Sequence, residues 1–241
     1  MTDSTTFETQ DASLNPDEIR ALLNSGSPEA KLKLIQTLAE TAEVGLPLLM
    51  EFLLERSGNP ATPVEGKIYQ VLYGANSAEV QSFLQTHFPQ GLVSPRSDAQ
   101  IDYSGLENLL AQQDFLEADK LTLQKLCEMA SPAAVERKWI YFSEVRSFPN
   151  SDLQTIDLLW KVYSEGKFGY SVQRKLWLGV SRNWEKLWPK IGWRTDGTWT
   201  RYPQGFTWDL TAPVGHLPLS NQLRGVRVIE ALFSHPAWSE S

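Results

Sequence analysis

The chain has 241 residues, 41% hydrophobic and 21% charged, with a net charge of −7, enough for one large domain or two small ones. That negative total weighs against a nucleic-acid protein, and no run approaches the ~18 consecutive apolar residues of a membrane-spanning helix. A lone cysteine, Cys127, excludes an internal disulfide and fits a reducing compartment.

The charge is uneven. Residues 1–100 carry 13 acidic against 6 basic side chains, whereas residues 137–227 carry 14 basic against 7 acidic ones. All nine tryptophans lie beyond residue 138. This shift predicts two units, residues 1–92 and 93–241. The N-terminal stretch has no apolar core and no early Arg or Lys, so neither a secretory signal nor a transit peptide is expected.

Helix starts punctuate the first unit. Asn15-Pro16-Asp17-Glu18, Ser27-Pro28-Glu29 and Thr62-Pro63-Val64-Glu65 each place a cap before a proline at the first helical position, and Asn76-Ser77-Ala78-Glu79 is a weaker start. Apolar residues at helical spacing follow: Leu34, Ile35, Leu38; Leu46, Leu49, Phe52, Leu53; Ile68, Val71, Leu72; Val80, Phe83, Leu84. Gly26, Gly45, Gly58 and Gly74 read as stops. The expectation is about five short antiparallel helices ending near Phe88, resembling HEAT-type units, with acidic residues facing outward. Residues 89–98, with two prolines and a glycine, read as a linker.

The second unit also reads as helical. Helices are expected from Asp102 and from Asp119 to Met129, and a capping box at Ser151-Asp152-Leu153-Gln154 opens the clearest one, with Leu153, Ile156, Leu159, Trp160 and Tyr163 on one face. Gly166 and Gly169 end it, and Ser171 caps the next. Trp177, Trp184 and Trp188 share a face if no break intervenes, a stripe better explained by packing than by a ligand. No stretch alternates long enough to predict sheet, so the fold class is all-α: an N-terminal helical bundle followed by an irregular helical domain.

Residues 192–227 form a long run without periodicity, rich in Trp193, Trp199, Tyr202, Phe206 and Trp208 and flanked by Arg194, Arg201, Arg224 and Arg227. Disordered segments lack aromatics, so an ordered binding loop is expected. A last helix is expected from Ser220 or Asn221 to Phe233. Arg224 in its first turn opposes the helix dipole unless an anion sits there; the alternative is a solvated Arg224 and a surface pair of Arg227 with Glu230. Aromatic walls with carboxylate partners suit a flat apolar ligand bearing peripheral carboxylates. No dinucleotide, phosphate-loop or zinc-protease motif is present, and His87, His216 and His235 lack ligand spacing. No enzymatic activity and no metal site are therefore expected. A protein–protein adaptor with an aromatic peptide groove, and an enzyme acting on the ligand, are the competing readings.

The stretch from Gly205 to Trp238, GFTWDLTAPVGHLPLSNQLRGVRVIEALFSHPAW, closely resembles the signature of the genomes-uncoupled tetrapyrrole-binding proteins, the fourth of that name. Asp157 to Gln173 and Asp102 to Thr122 are further matching blocks. The resemblance implies a porphyrin-binding core, shaped as a cupped hand with an apolar palm, that activates magnesium chelatase in chlorophyll synthesis. The acidic bundle resembles the extra domain of cyanobacterial members. The implied ligand is protoporphyrin IX or Mg-protoporphyrin IX, with no intrinsic cofactor. The implied partner is the large porphyrin-binding subunit of the chelatase. By the same resemblance, Arg224 and Arg227 would face the propionates, Asn221 would lie near the central metal, and Phe206, Trp208, Trp199, Tyr202 and Leu217 would contact the ring. A monomer is expected in a cyanobacterial cytoplasm, with peripheral association with thylakoid membranes left open.

Overall fold

The computed structural model describes residues 15–220 and 225–239. Among them stand thirteen α-helices and one two-residue hairpin. The first unit holds α1 (Pro16–Ser25), α2 (Pro28–Glu40), α3 (Ala42–Glu55), α4 (Pro63–Gly74) and α5 (Ala78–His87). The second holds α6 (Ser104–Ala111), α7 (Phe115–Ala130), α8 (Pro132–Arg137), α9 (Phe142–Val145), α10 (Asn150–Tyr163), α11 (Tyr170–Gly179), α12 (Trp184–Lys190), β1 (Arg194–Thr195), β2 (Thr198–Trp199) and α13 (Arg227–Phe233). The all-α expectation holds. No described helix is long and apolar enough to cross a membrane.

The predicted caps form in the first unit. The side chains of Asn15, Ser27, Thr62 and Ser77 each accept a backbone N–H of the first turn, and Asn15–Glu18 and Thr62–Glu65 close as reciprocal capping boxes. Gly45 is not a stop. It lies inside α3, where a Cβ would collide with the Leu38 carbonyl, so its missing side chain lets α3 press against α2. Nor are all acidic groups outward: Glu65 is buried, because it serves its own cap and pairs with Arg56 at 2.9 Å.

The two units pack through α4 and α10, and α4 is buried on most of its surface. Gln70 donates from one amide nitrogen to the carbonyls of Leu110 (3.1 Å) and Tyr163 (2.9 Å). The connection at 89–98 is fixed rather than free. Glu107, itself buried, accepts the N–H groups of Leu92 and Val93 at 2.8 Å each and the Tyr163 hydroxyl at 2.6 Å. Burial still holds the Glu107 carboxyl above its ordinary value despite those three donors.

Two predicted caps fail in the second unit. Ser151 lies inside α10, its hydroxyl accepting Asp98 N–H, while Gln154 reaches the Ala237 carbonyl at 2.9 Å. Tertiary partners have outbid the local box. Ser171 likewise sits inside α11, its N–H and hydroxyl both held by Asp157. The tryptophan stripe is broken at Ser181 and Arg182, which take positive φ between α11 and α12. The rings stack regardless: Trp177–Trp184 and Trp184–Trp188 at 5.0 Å, and Trp188–Trp193 at 5.6 Å.

Gly66 marks a close approach of α4 to α10, since a Cβ there would meet the Val162 carbonyl. Gly66→Ala should therefore lower stability by about 1–3 kcal/mol. Gly74→Ala, with nothing within 4 Å of the new carbon, should be neutral or slightly stabilising. Thermal unfolding of the two variants measures the difference; equal midpoints would contradict the packing.

Candidate functional site

The described part of the run between α12 and α13, residues 191–220, is held by side chains of α7, of α11 and of the connection before it, together with its own His216. It begins as a hairpin, where Asp196 and Gly197 take φ +49 and +79, the left-handed pair of a tight two-residue turn. Strand β1 pairs with β2 through Arg194↔Trp199 and Thr195↔Thr198. This ladder, two residues per strand, fits the expectation of essentially no sheet, and it is too short for its alternation to be seen in sequence. Arg194 lies 5.6 Å over the Trp199 ring, and Trp199 leans on Trp188 at 5.4 Å.

Beyond the hairpin, Tyr202, Phe206 and Trp208 form one aromatic group with centroids 6.0–6.5 Å apart, and Phe206 rests on His216 at 5.3 Å. His216 is buried and ties both ends of the run. Its Nε2 accepts Thr207 N–H at 3.2 Å, so the proton sits on Nδ1, which donates to the Ile191 carbonyl at 2.6 Å. Gln173 of α11, fully buried, donates to the carbonyls of Gly215 (3.0 Å) and Pro218 (2.8 Å). Gly169 N–H reaches Leu217 O at 3.0 Å, and Lys167 holds the Leu210 carbonyl. Asp119 of α7 accepts Leu219 N–H at 2.6 Å.

These clips place the end of the run against α7 and open a cleft of about 680 Å³, within the ~300–1,000 Å³ of small-molecule sites. Its floor is one face of α7, where Asp119, Leu123 and Cys127 recur every four residues beside Lys120 and Gln124. Val135 and Lys138 close one side; Tyr202, Leu219 and Ser220 close the other. The lining is mainly apolar and includes two lysines, Lys138 and Lys120, the latter paired with Glu117 at 2.5 Å. Burial pushes the Cys127 thiol up to about 11, leaving it an inert part of the floor.

The segment that supplies Val135 and Lys138 continues into α9. There Arg137 bonds Glu144 and lies over the rings of Trp139 (5.0 Å) and Tyr141 (4.5 Å). Phe142 follows, with the Arg227 guanidinium 5.5 Å above its ring. Helix α13 packs on α9 and starts at Arg227, because Gly225 takes φ +81 and interrupts the expected longer helix.

Of the residues singled out in the sequence, Tyr202 lines the cleft and is 44% exposed. Phe206 is buried and Trp208 half-buried behind it, with the Trp208 indole N–H donating to the Pro203 carbonyl at 2.9 Å. Leu217 is fully buried, and Trp199 lies on the hairpin against Trp188 rather than in the cleft wall. Arg227 is exposed beside Phe142. Asn221 and Arg224 lie outside the described residues; they follow Ser220, which does line the cleft. The α7 face went unread. Leu121, Leu123, Leu126 and Met129 look like one core stripe, yet Leu126 is core while Leu123 faces the cleft. The available signal was apolar residues around more of α7 than one stripe requires.

A second groove of about 610 Å³ lies between the α3–α4 turn and residues 87–96; its walls mix Leu53, Phe88 and Leu158 with Arg56, His87 and Arg96, so it is less apolar than the cleft on α7.

Burial holds His216 below its ordinary value and keeps the ring neutral. A base with a depressed folded pKa contributes stability above about pH 6.5 and loses it as pH falls below that. Between pH 7 and 5.5 this loss is set against the buried Glu107 and Asp119 carboxyls, whose raised values add stability as pH falls. His216→Gln should cost about 1–3 kcal/mol at pH 7 and less at pH 5.5, read as the difference in thermal midpoint from the wild type; an equal difference at both pH values would contradict the role of His216. Buried His235 carries the same sign as His216.

The family profile described as GUN4-like matches residues 96–236, and the one described as ARM-like repeat domain, GUN4-N terminal, matches residues 7–89. A Ycf53-like protein of Synechocystis sp. is 46% identical over 228 residues, covering 94% of this chain and 97% of that one. The chloroplastic tetrapyrrole-binding protein of Arabidopsis thaliana is 41% identical over 143 residues, 56% of this chain and 54% of its own. The structure of GUN4 from Chlamydomonas reinhardtii aligns with a TM-score of 0.58 at 40% identity, over 61% of this chain and 95% of that one. Matched across both profiles and along nearly the full length of a close relative, the chain belongs to the GUN4 family.

Proposed function

We infer that the cleft on α7 binds a tetrapyrrole, protoporphyrin IX or Mg-protoporphyrin IX, and that the chain is a non-catalytic activator of magnesium chelatase. The observation that carries this reading is the shape and chemistry of the cleft. An apolar floor of Leu123, Cys127 and Val135 is bordered by an aromatic edge at Tyr202 and by the cations Lys120 and Lys138. A flat ring with peripheral propionates has that same division: a broad apolar face and anionic edges. Membership of a family that includes a tetrapyrrole-binding protein supports it.

Within this reading Arg227 pairs with a propionate from its place over Phe142, and Asn221 and Arg224, which lie outside the described residues, are further candidate contacts. Phe206, Trp208 and Leu217 act behind the cleft, shaping the position of Tyr202 and Leu219 rather than touching the ring. The partner that receives the porphyrin is the large subunit of the chelatase.

Titration with protoporphyrin IX should quench tryptophan fluorescence and shift the Soret band at micromolar concentration. Leu123→Trp, which fills the floor, should lower affinity more than tenfold. Arg227→Ala removes one exposed charge contact and should lower it about fivefold, the equivalent of about 1 kcal/mol. Absence of any Soret shift would overturn the tetrapyrrole reading and favour a peptide groove. Added to assembled chelatase subunits, the protein should raise the rate of magnesium insertion; an unchanged rate would remove the activator role.

A further inference from the structure

Asp119 is an uncommon group for the floor of an apolar cleft. It lies on α7, one turn before Leu123, and is only 7% exposed. Its Oδ1 accepts Leu219 N–H at 2.6 Å, and the residue lines the cleft. Four charged or titratable groups surround it. Lys120, next in the chain, is exposed and pairs with Glu117 at 2.5 Å. Lys138 lies on the α8 side of the cleft, and the Tyr202 phenol stands at its edge. The Tyr170 phenol of α11 is fully buried, its hydroxyl without a hydrogen-bond partner, and close enough for the charges of Asp119 and then Asp157 to hold its proton on after burial has done most of that. Asp157 itself is occupied by Lys161 at 3.0 Å and by Ser171.

A carboxylate in this position is supported by the Leu219 N–H, by the charge of Lys120 and by water reaching it from the cleft. A metal-free protoporphyrin face laid on Leu123 and Cys127 would remove that water, and its ring offers no cation in exchange. Desolvation then favours the neutral acid. We propose that Asp119 is the proton-uptake residue of the cleft: as metal-free protoporphyrin settles on the α7 face, the carboxylate takes one proton from solvent on its free oxygen, while Oδ1 keeps the Leu219 N–H. The proposal rests on the tetrapyrrole reading of the cleft and names the group through which that binding is coupled to pH.

The carboxyl already stands near the required balance. Burial pushes it up to about 7, against the lowering effect of the Leu219 N–H and of Lys120. A modest further loss of water therefore changes its protonation at neutral pH. The sign follows from linkage. Binding that favours the protonated form is tighter at lower pH; affinity should fall as pH rises above about 7, by at most about tenfold per pH unit, and level off below it.

The test is calorimetric titration of the full chain with protoporphyrin IX at pH 8, in phosphate and in Tris, whose ionisation enthalpies differ. The wild-type chain should take up a large fraction of one proton more than Asp119→Asn, and its affinity should fall severalfold from pH 7 to 8 while that of the variant stays level. Equal proton counts in the two proteins, with binding intact, would overturn the role of Asp119 alone. No heat and no Soret shift in the wild type would overturn the tetrapyrrole reading beneath it. Should the variant fail to fold, carbon NMR of the wild-type Asp119 carboxyl decides: a titration midpoint raised by protoporphyrin supports the proposal, and an unmoved midpoint refutes it.

Discussion

A backbone without a helix or a strand ladder can stand at the edge of a cleft only if its polar groups find partners elsewhere. Beyond the hairpin, the run from Thr200 to Ser220 meets that requirement with three side chains from other elements and with its own His216. His216 spans Ile191 and Thr207, Gln173 spans Gly215 and Pro218, Lys167 holds Leu210, and Asp119 holds Leu219. Three of these four come from α7, α10–α11 and their connection, so the helical core dictates the shape of the loop. The cleft exists because the loop is pinned at a fixed distance from the exposed face of α7.

The same logic explains the buried polar groups of the second unit. Glu107, Asp119, Asp152, Asp157 and Gln173 are all nearly inaccessible. Asp152 receives the Tyr103 hydroxyl at 2.9 Å and the N–H groups of Asp98 and Ala99. Each acid or amide organises irregular backbone at a helix boundary. Burying such groups costs least when their hydrogen bonds are made; Gln173 satisfies its amide nitrogen while its Oε1 has no partner. Asp119, with a single donor and a face toward the cleft, is the member of this set whose state a ligand can alter.

Local signals in the sequence were good guides wherever the structure is local. Proline-led caps placed α1, α2 and α4 to the residue, and Gly166 and Gly169 ended α10 with positive φ as their lack of a Cβ allows. Signals failed where tertiary contact competed. Ser151, Gln154 and Ser171 have the right chemistry for caps but found better partners across the fold. Gly45 looked like a stop and is a packing contact. The site was half legible. Composition exposed the aromatic loop, and the last helix drew attention to Arg227. The floor on α7 stayed hidden because a cleft-facing leucine and a core leucine look the same in a periodic pattern. The tryptophans, set aside as packing, do pack: they join α11, α12 and the hairpin behind the cleft.

The central claim is that a tetrapyrrole lies on the α7 face, under the edge formed by Tyr202 and Leu219. A crystal structure of the protein soaked with Mg-protoporphyrin IX tests it most directly. The account predicts a ring over Leu123, Cys127 and Val135, its propionates turned toward cationic side chains at the rim and Asp119 beneath its face. A ring found instead in the groove of Arg56 and Arg96, or stacked on the hairpin at Trp199, would contradict it.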